Sequence, residues 1–292
     1  MLQVLFNTLF IPRSKIEEWV LEDLQYCDIT TEALGIVDVE GVAEVVLRQD
    51  AVVACTEEAA EIYRILGARI TSLTLSGTRA EKGSSILIAE GPARSLHAAW
   101  RVAQTIIGFA SAVATYTKMM VDKAKSVNPR ITIATTRKAP PGSKPLFFKA
   151  VLCGGGSIHR FGLSDSILVF DNHLELMGGQ DSLEKAIEKL KQCHPERKIG
   201  VEVKNLEQAL KAARAGAEYI QLEKMPPEKV RGVVEAIRGV NPHATIGVAG
   251  GITLENVQEY AKTGVDLIVT SAPYNAGTID LTTKITPKTR NK

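Results

Sequence analysis

From about residue 130 the chain alternates a short β-branched apolar run with a segment of helical periodicity, and no other feature limits its fold as much. The runs are TIAT, SILVF, IGVEV, YIQLE, TIGVAG and DLIVTS; the helical segments between and after them are SLEKAIEKLKQC, LEQALKAARAG, PPEKVRGVVEAIRG and TLENVQEYAKTG. Strands separated by whole helices pair in parallel, because the crossover has to run the length of the sheet. The runs end in Arg137-Lys138, Asp171-Asn172-His173, Glu202, Glu223-Lys224, Gly250-Gly251 and Ser271. In a βα barrel the strands finish at one rim, so these residues are expected to converge around a ligand. Cationic groups, two carboxylates and a glycine turn suit a phosphorylated, magnesium-bound sugar better than an apolar ligand.

The first third reads differently. IPRSKIEEWVLEDLQ is an amphipathic helix leading into the turn YCDITTEAL, and GVAEVVLRQDAVVAC has the composition of strands. TEEAAEIYRILG is helical with Thr56 as its expected N-cap, and RITSLTLSG and SSILIAEGPA are short strands set off by glycines. Ser95 to about Val127 is helical, with Gly108 as a weak point near its middle. The fold class expected is α/β plus α+β: an irregular six-stranded βα barrel with an N-terminal α/β sandwich domain. The domains are placed at residues 1–110 and 111–275, with 276–292 returning to the first.

Composition excludes several classes. A formal net charge of +2 is too small to suggest a nucleic-acid partner, and no run interleaves basic residues with aromatics. Cys27, Cys55, Cys153 and Cys193 form no CxxC pair, so neither a zinc knuckle nor a disulfide framework is indicated, and a cytoplasmic location is expected. MLQVLFNTLFIPRSK has no basic leader or small-residue cleavage site, so no signal peptide is expected. AAWRVAQTIIGFASAVATY carries Arg101 and Gln104 and is a core helix, with no membrane span expected.

The rim residues have definite chemical uses. Arg137 suits bidentate recognition of a carboxylate and Lys138 a point charge on phosphate, although a basic pair at a strand end can also be merely solvated. GGGSIHR lets backbone approach a ligand and then presents His159 and Arg160. Glu202 and Glu223 can hold ribose hydroxyls directly or through Mg²⁺, or can form structural ion pairs. AGGIT joins a strand to a helix with Thr253 as the expected N-cap; its Gly250 and Gly251 would offer N–H groups to a phosphate backed by the helix dipole, with Ser271 closing the same site. Cys153 has no base placed for it and reads as a buried structural thiol.

TTRKAPPGSKPLFFKAVLCGGGSIHRFGLSD resembles the type II phosphoribosyltransferases, whose best-known member is the quinolinate enzyme. EDLQYCDITT, VEVKNLEQAL and AGGITLENVQEYAKTGVDLI resemble the other blocks of that family in the same order, so the likeness spans nearly the whole chain. LGIVD, AAWRVAQ, ILVF, QLEKM and TSAPY are similar to the ModD group within it, which is associated with molybdenum transport. The resemblance implies Mg²⁺, transfer of phosphoribose from 5-phosphoribosyl 1-diphosphate to a small carboxylated aromatic nitrogen acceptor, and release of diphosphate.

By the same resemblance Arg137, His159 and Arg160 orient the acceptor, Lys138 meets acceptor and donor, and Asp171 belongs to the substrate site. Glu202 and Glu223 hold the ribose and the metal. Arg101, otherwise a surface helix residue, reaches a neighbouring subunit's site, which implies a homodimer or larger homo-oligomer. The pattern is broken at the acceptor end. Phe170 stands where the quinolinate enzymes have lysine, and Glu223 where they have Asp; Trp100, Lys224, Ala249 and Asn275 also depart. Losing that lysine removes charge-assisted bonds worth about 1.5–3 kcal/mol each. A true quinolinate enzyme of NAD synthesis and a silent oxyanion-binding protein of molybdate uptake stay open as alternatives.

Overall fold

The computed structural model describes residues 9–288; the first eight residues, most of the apolar opening read above, lie outside them. In chain order come α1 (Arg13–Asp23), α2 (Ile29–Ala33), β1 (Glu40–Leu47), β2 (Ala51–Val52), α3 (Thr56–Ile65), β3 (Arg69–Leu73), β4 (Arg79–Ala80) and β5 (Ser85–Pro92). Then follow α4 (Ala93–Lys125), β6 (Thr132–Thr135), α5 (Lys144–Cys153), β7 (Ser157–Ile158), β8 (Ile167–Val169), α6 (Asp171–Leu176) and α7 (Leu183–Cys193). β9 (Ile199–Val203), α8 (Leu206–Arg214), β10 (Tyr219–Glu223), α9 (Pro227–Val240), β11 (Thr245–Ala249), α10 (Val257–Ala261), β12 (Leu267–Thr270) and β13 (Leu281–Pro287) complete the chain.

The described residues divide into two compact units. The first takes in the chain up to Lys118, Ala139–Gly155 and the segment from Pro273 onward; the second is Met119–Lys138 and Gly156–Ala272.

The first unit is built on an antiparallel sheet in the order β13-β1-β5-β3, beside a small β2-β4 ribbon. Alternate residues of β1, Ala43, Val45 and Leu47, are fully buried, the pattern of a strand with one covered face. The turn YCDITTEAL contains α2, capped by Asp28, whose carboxylate accepts from the Thr30 N–H at 3.0 Å and from the Thr31 hydroxyl. Thr56 is not an N-cap: it is the first residue of α3, and Cys55, left-handed at φ 58°, precedes it. The Thr56 N–H instead donates to the Ser76 hydroxyl at 3.3 Å.

Gly108 does not break α4, which runs unbroken through it. A Cβ there would lie 2.6 Å from Thr278 Oγ1 and 3.2 Å from the Ile279 carbonyl, so glycine is what lets the returning chain lie against the helix. The Ile279 N–H donates to the Gly108 carbonyl at 3.0 Å, and Gln104 exchanges hydrogen bonds with Leu281 and Thr283, steering β13 onto β1. α4 is long, but no helix among the described residues is long and apolar enough to cross a membrane.

The second unit is a parallel sheet in the order β7-β6-β12-β11-β10-β9-β8. The six expected strands are all present. The seventh, β7, is two residues of the GGGSIHR segment and too short for periodicity to reveal. β7 and β8 are the free edges, so the barrel is open in its hydrogen bonding. Val201, Val203, Ile220, Leu222, Ile246, Val248 and Ile268 are buried, supplying one aliphatic face in register across four strands. Their alternate neighbours form the opposite face, which is polar on β9 and β10 through Glu202, Tyr219, Gln221 and Glu223, and small or apolar on β11 and β12 through Gly247, Ala249, Leu267 and Val269.

Inside the first unit Lys149 Nζ is buried between Glu58, at 2.8 Å, and Glu57, at 3.0 Å, and Glu57 also accepts from the Ser76 N–H at 2.9 Å. Burial opposes the ammonium charge, but the two carboxylates outweigh it and hold the Lys149 pKa above its ordinary value. Lys149→Met would leave buried carboxylates without their cation, and is expected to lower unfolding free energy by about 3–5 kcal/mol. Adding Glu58→Gln to Lys149→Met should restore part of the loss. Denaturant titrations of both variants check this, and wild-type stability for Lys149→Met would refute it.

Candidate active site

The polar face of the parallel sheet collects most of the residues singled out in the sequence. The strand β10, YIQLE, presents Tyr219, Gln221 and Glu223 at alternate positions, hence on one side. The Tyr219 hydroxyl donates to Gln221 Oε1 at 3.0 Å, and Gln221 Nε2 donates to Glu202 Oε2, on β9, at 2.8 Å. The Tyr219 ring needs glycine on both neighbours. A Cβ on Gly200 of β9 would come within 2.9 Å of the ring, and one on Gly247 of β11 within 2.3 Å of its hydroxyl oxygen.

Two contacts reveal how far the sheet curls. The His159 ring, just beyond β7, lies 5.3 Å from the Tyr219 ring, although three strands separate β7 from β10 in the sheet. The Arg160 guanidinium lies 5.5 Å from the centre of the Phe170 ring at the end of β8, so the two edges face each other across the opening. Phe170 also stacks on His173 at 5.7 Å, and its N–H donates to His173 Nδ1 at 3.0 Å.

Arg160 is only 6% exposed and, among the described residues, forms no hydrogen bond or ion pair. Burial, then the charge of Arg137, lowers its pKa, which also places Arg137 close by. Burial, followed by Arg160, pulls the His159 pKa down to about 4, so His159 is a neutral imidazole at physiological pH and not one of the site's cations. Across from them, burial and the nearby Glu223 raise the pKa of Glu202, with Asp171 adding to the repulsion and Gln221 and Lys204 opposing it.

Asp171 stands with this group, but both its oxygens are engaged, one by Lys204 Nζ at 2.6 Å and the other by Gln180 Nε2 at 2.9 Å. Lys138 follows β6 and is exposed, its N–H donating to the Thr136 hydroxyl at 3.2 Å. Glu223 reaches the glycine turn: a Cβ on Gly250 would lie 3.2 Å from its carboxylate and 2.6 Å from Lys224 Cγ. Lys224 is left-handed at φ 51°, and its N–H donates to the Ala249 carbonyl at 2.8 Å.

Gly250 and Gly251 have φ of 95° and 71°, left-handed backbone that favours glycine, and Ser271 lies one residue past the end of the adjoining β12. The helix behind the turn differs from expectation. Thr253 does not cap it, because Asn256 intervenes, accepting from the Thr253 N–H at 2.9 Å and donating to the Gly251 carbonyl at 3.0 Å. α10 begins only at Val257 and has five residues, so the helix expected directly behind the turn is short and starts six residues after Gly251.

Arg101 belongs to the other unit, with its guanidinium 4.0 Å over the Trp100 ring. Cys153 is buried there too, and burial, opposed by Lys149, pushes its thiol up to about 12, which disqualifies it as a nucleophile near neutrality.

Among the described residues no three His, Cys, Asp or Glu side chains gather as a metal cluster. Glu202 and Glu223 are a pair of hard oxygen donors, and Mg²⁺ commonly uses one or two carboxylates with water and substrate phosphate supplying the rest. The donor set therefore fits a Mg²⁺ ion that arrives with a phosphorylated ligand. Sequence reasoning missed Tyr219, Gln221 and Lys204; the available signal was the period-two polarity of YIQLE opposite glycines in the neighbouring runs.

The sequence models described as quinolinate phosphoribosyl transferase, N-terminal and C-terminal domains, match residues 28–111 and 113–284. The chain is 42% identical over 245 residues to a ModD protein of Rhodobacter capsulatus that carries a provisional pyrophosphorylase name, covering 84% of this chain and 94% of that one. It is 37% identical over 275 residues to the similarly named protein of Pasteurella multocida, covering 94% and 97%. Among solved structures, the nicotinate-nucleotide pyrophosphorylase from Francisella tularensis superposes with a TM-score of 0.86 at 28% identity, over 95% of this chain and 98% of that one.

The depressed pKa of His159 has a consequence for stability. The unfolded chain binds a proton near pH 6.5, while the folded one resists it down to about 4. Stability from this group is therefore complete above about pH 6.5 and is lost as pH falls toward 4, by up to about 3 kcal/mol, less where solvent reaches the ring. Unfolding free energies measured from pH 7 to 4.5 should decline in the wild type and decline less in His159→Asn. Parallel curves for the two proteins would refute the account.

Proposed function

The chain belongs to the quinolinate phosphoribosyltransferase family and is a phosphoribosyltransferase of that type, and from that premise we propose that it transfers phosphoribose from 5-phosphoribosyl 1-diphosphate to the ring nitrogen of a small aromatic carboxylate, releasing diphosphate. The observation that carries this reading is Arg160, a buried guanidinium that forms no hydrogen bond or ion pair among the described residues and feels Asp165 and Glu202 only at longer range. A buried cation without a partner is costly unless a ligand supplies the anion, and a planar carboxylate matches the guanidinium fork.

In this reading Arg160 and Arg137 hold the acceptor carboxylate and neutral His159 offers a hydrogen bond. Lys138 meets both substrates. The Gly250-Gly251 turn and Ser271 receive the 5′-phosphate. Asp171 lines the substrate site through its ion pair with Lys204. Breaking the bond between ribose C1 and diphosphate leaves positive charge on the ribose, which Glu202 and Glu223 stabilise. The same two carboxylates would hold Mg²⁺, which supplies charge neutralisation to the departing diphosphate. We also propose a homodimer in which Arg101 serves the neighbouring copy's site.

Phe170 favours an acceptor other than quinolinate. That substrate has two carboxylates, and a phenyl ring offers neither charge nor donor where the resemblance implies a lysine. The wild type should therefore release carbon dioxide from quinolinate poorly, and Phe170→Lys should improve kcat/KM by about tenfold, the worth of one charge-assisted bond. The gain is partial, since the new ammonium would stand beside Arg160. Efficient wild-type turnover of quinolinate would instead make this a quinolinate enzyme, with decarboxylation following transfer.

A screen of aromatic acids read by diphosphate release identifies the acceptor. With it, Glu202→Gln and Glu223→Gln should each lower kcat by about 100-fold or more while weakening donor affinity, measured by calorimetry, far less. Unchanged turnover in both variants would remove the role given to these carboxylates.

A further inference from the structure

Glu202 is not free to choose its orientation. Its Oε2 accepts from Gln221 Nε2 at 2.8 Å, and Gln221 Oε1 accepts from the Tyr219 hydroxyl at 3.0 Å. The direction of this chain is fixed chemically. An ionised carboxylate can only accept, so the amide nitrogen of Gln221 has to face Glu202 and the amide oxygen has to face Tyr219. Tyr219 is then the required donor, and burial keeps it protonated by raising its pKa well above the ordinary value.

The surroundings are shaped for that phenol. Gly200 stands opposite Tyr219 in the ladder of β9 with β10, and Gly247 opposite Gln221 in that of β10 with β11. A methyl group at either position would collide with the ring or its hydroxyl. On its other flank the ring meets His159. Three parallel strands and the segment after β7 thus combine to seat one hydroxyl, whose hydrogen-bond partner among the described residues is the amide that holds Glu202.

We infer that Tyr219 and Gln221 are positioning residues which act in series to aim Glu202 at the ribose, Tyr219 by fixing the Gln221 amide and Gln221 by fixing the carboxylate. The inference rests on the role proposed for Glu202 above. Around that carboxylate stand Glu223, Asp171, Lys204 and Arg160, which would otherwise pull it toward either cation or push it from either acid. A directed hydrogen bond from a neutral amide sets its geometry without altering the charge balance of the site.

Action in series makes a sharper prediction than importance alone. With 5-phosphoribosyl 1-diphosphate, Mg²⁺ and the acceptor found by the screen, Gln221→Met should lower kcat by roughly 10-fold to 100-fold, the loss of one hydrogen bond to a charged group. Tyr219→Phe keeps the ring over both glycines and should lower kcat by about threefold to tenfold. The double variant should be no slower than Gln221→Met, because Tyr219 has no other route to Glu202. Donor affinity by calorimetry should stay within about twofold throughout.

Effects that multiply in the double variant would overturn the series arrangement, as would wild-type kcat in a Gln221→Met protein with native melting behaviour. Should Gln221→Met fail to fold, Tyr219→Phe decides alone: a kcat loss with unchanged donor affinity supports the inference and wild-type kcat overturns it. Wild-type turnover by Glu202→Gln would instead remove the underlying role of that carboxylate. The cycle is read from Tyr219 and Gln221 only, so the two failures are distinguishable.

Discussion

A parallel sheet that curls on itself forces its two faces into different chemistries, and the second unit follows from that constraint. Side chains alternate, so each strand sends one set toward the helices and the other toward the enclosed space. The helix-facing set is aliphatic and buried: Val201 and Val203, Ile220 and Leu222, Ile246 and Val248. Burying each such residue contributes about 1.5–3 kcal/mol, which leaves the stability of the sheet to one face and frees the other for polar groups. A one-residue slip of any strand would exchange the two sets, so register is strongly specified.

The polar face has its own requirement, that every buried donor and acceptor be satisfied or kept for a ligand. Tyr219, Gln221 and Glu202 satisfy one another in sequence, and the space for them is made by removing side chains at Gly200 and Gly247. Glycine within a strand weakens it, and its presence here marks close approach of a large ring. Asp171 is likewise satisfied within the protein, by Lys204 and Gln180. Arg160 differs from them: among the described residues its buried guanidinium forms no hydrogen bond or ion pair.

Much of this was legible in the sequence, for a reason that also explains the rest. Strand-to-helix alternation announces a βα architecture, and rim residues can be read because a strand's end is where its periodicity stops. Arg137, Glu223 and Gly250 are legible in that way, whereas Glu202 lies one residue inside the end of β9. Gln221 sits mid-strand and Tyr219 at the strand's start, where an isolated polar residue beside an apolar run looks like an exposed edge position. Only the neighbouring strands reveal that they face inward, over glycines. β7 was missed because two residues have no period. Thr253 is not the cap because the helix starts only at Val257, after Asn256, and the Thr253 hydroxyl donates to Glu255, a side-chain choice that spacing does not encode. The opposition of Arg160 and Phe170 depends on how tightly the sheet curls, which no local pattern records.

The distribution of charge on this face is polarised. Arg137 and Arg160 stand toward one edge with neutral His159, whose ring meets Tyr219, while Glu202 and Glu223 stand on β9 and β10. Phe170 sharpens the division. A ring beneath the guanidinium of Arg160 interacts with its π face and leaves the N–H edges, which make directional hydrogen bonds, available to a ligand. A lysine there would bring a second mobile cation within range of Asp171 and Glu202, and would partly neutralise the acidic side. In the proposed transfer the acceptor enters as an anion and the ribose becomes positive as diphosphate departs. The cationic edge therefore meets the acceptor carboxylate and the acidic edge meets the developing ribose charge. The arrangement becomes more favourable as the reaction proceeds, because the acidic side gains a positive partner that the ground state lacks, and a preorganised field of that sense lowers the barrier without tightening the hold on either substrate.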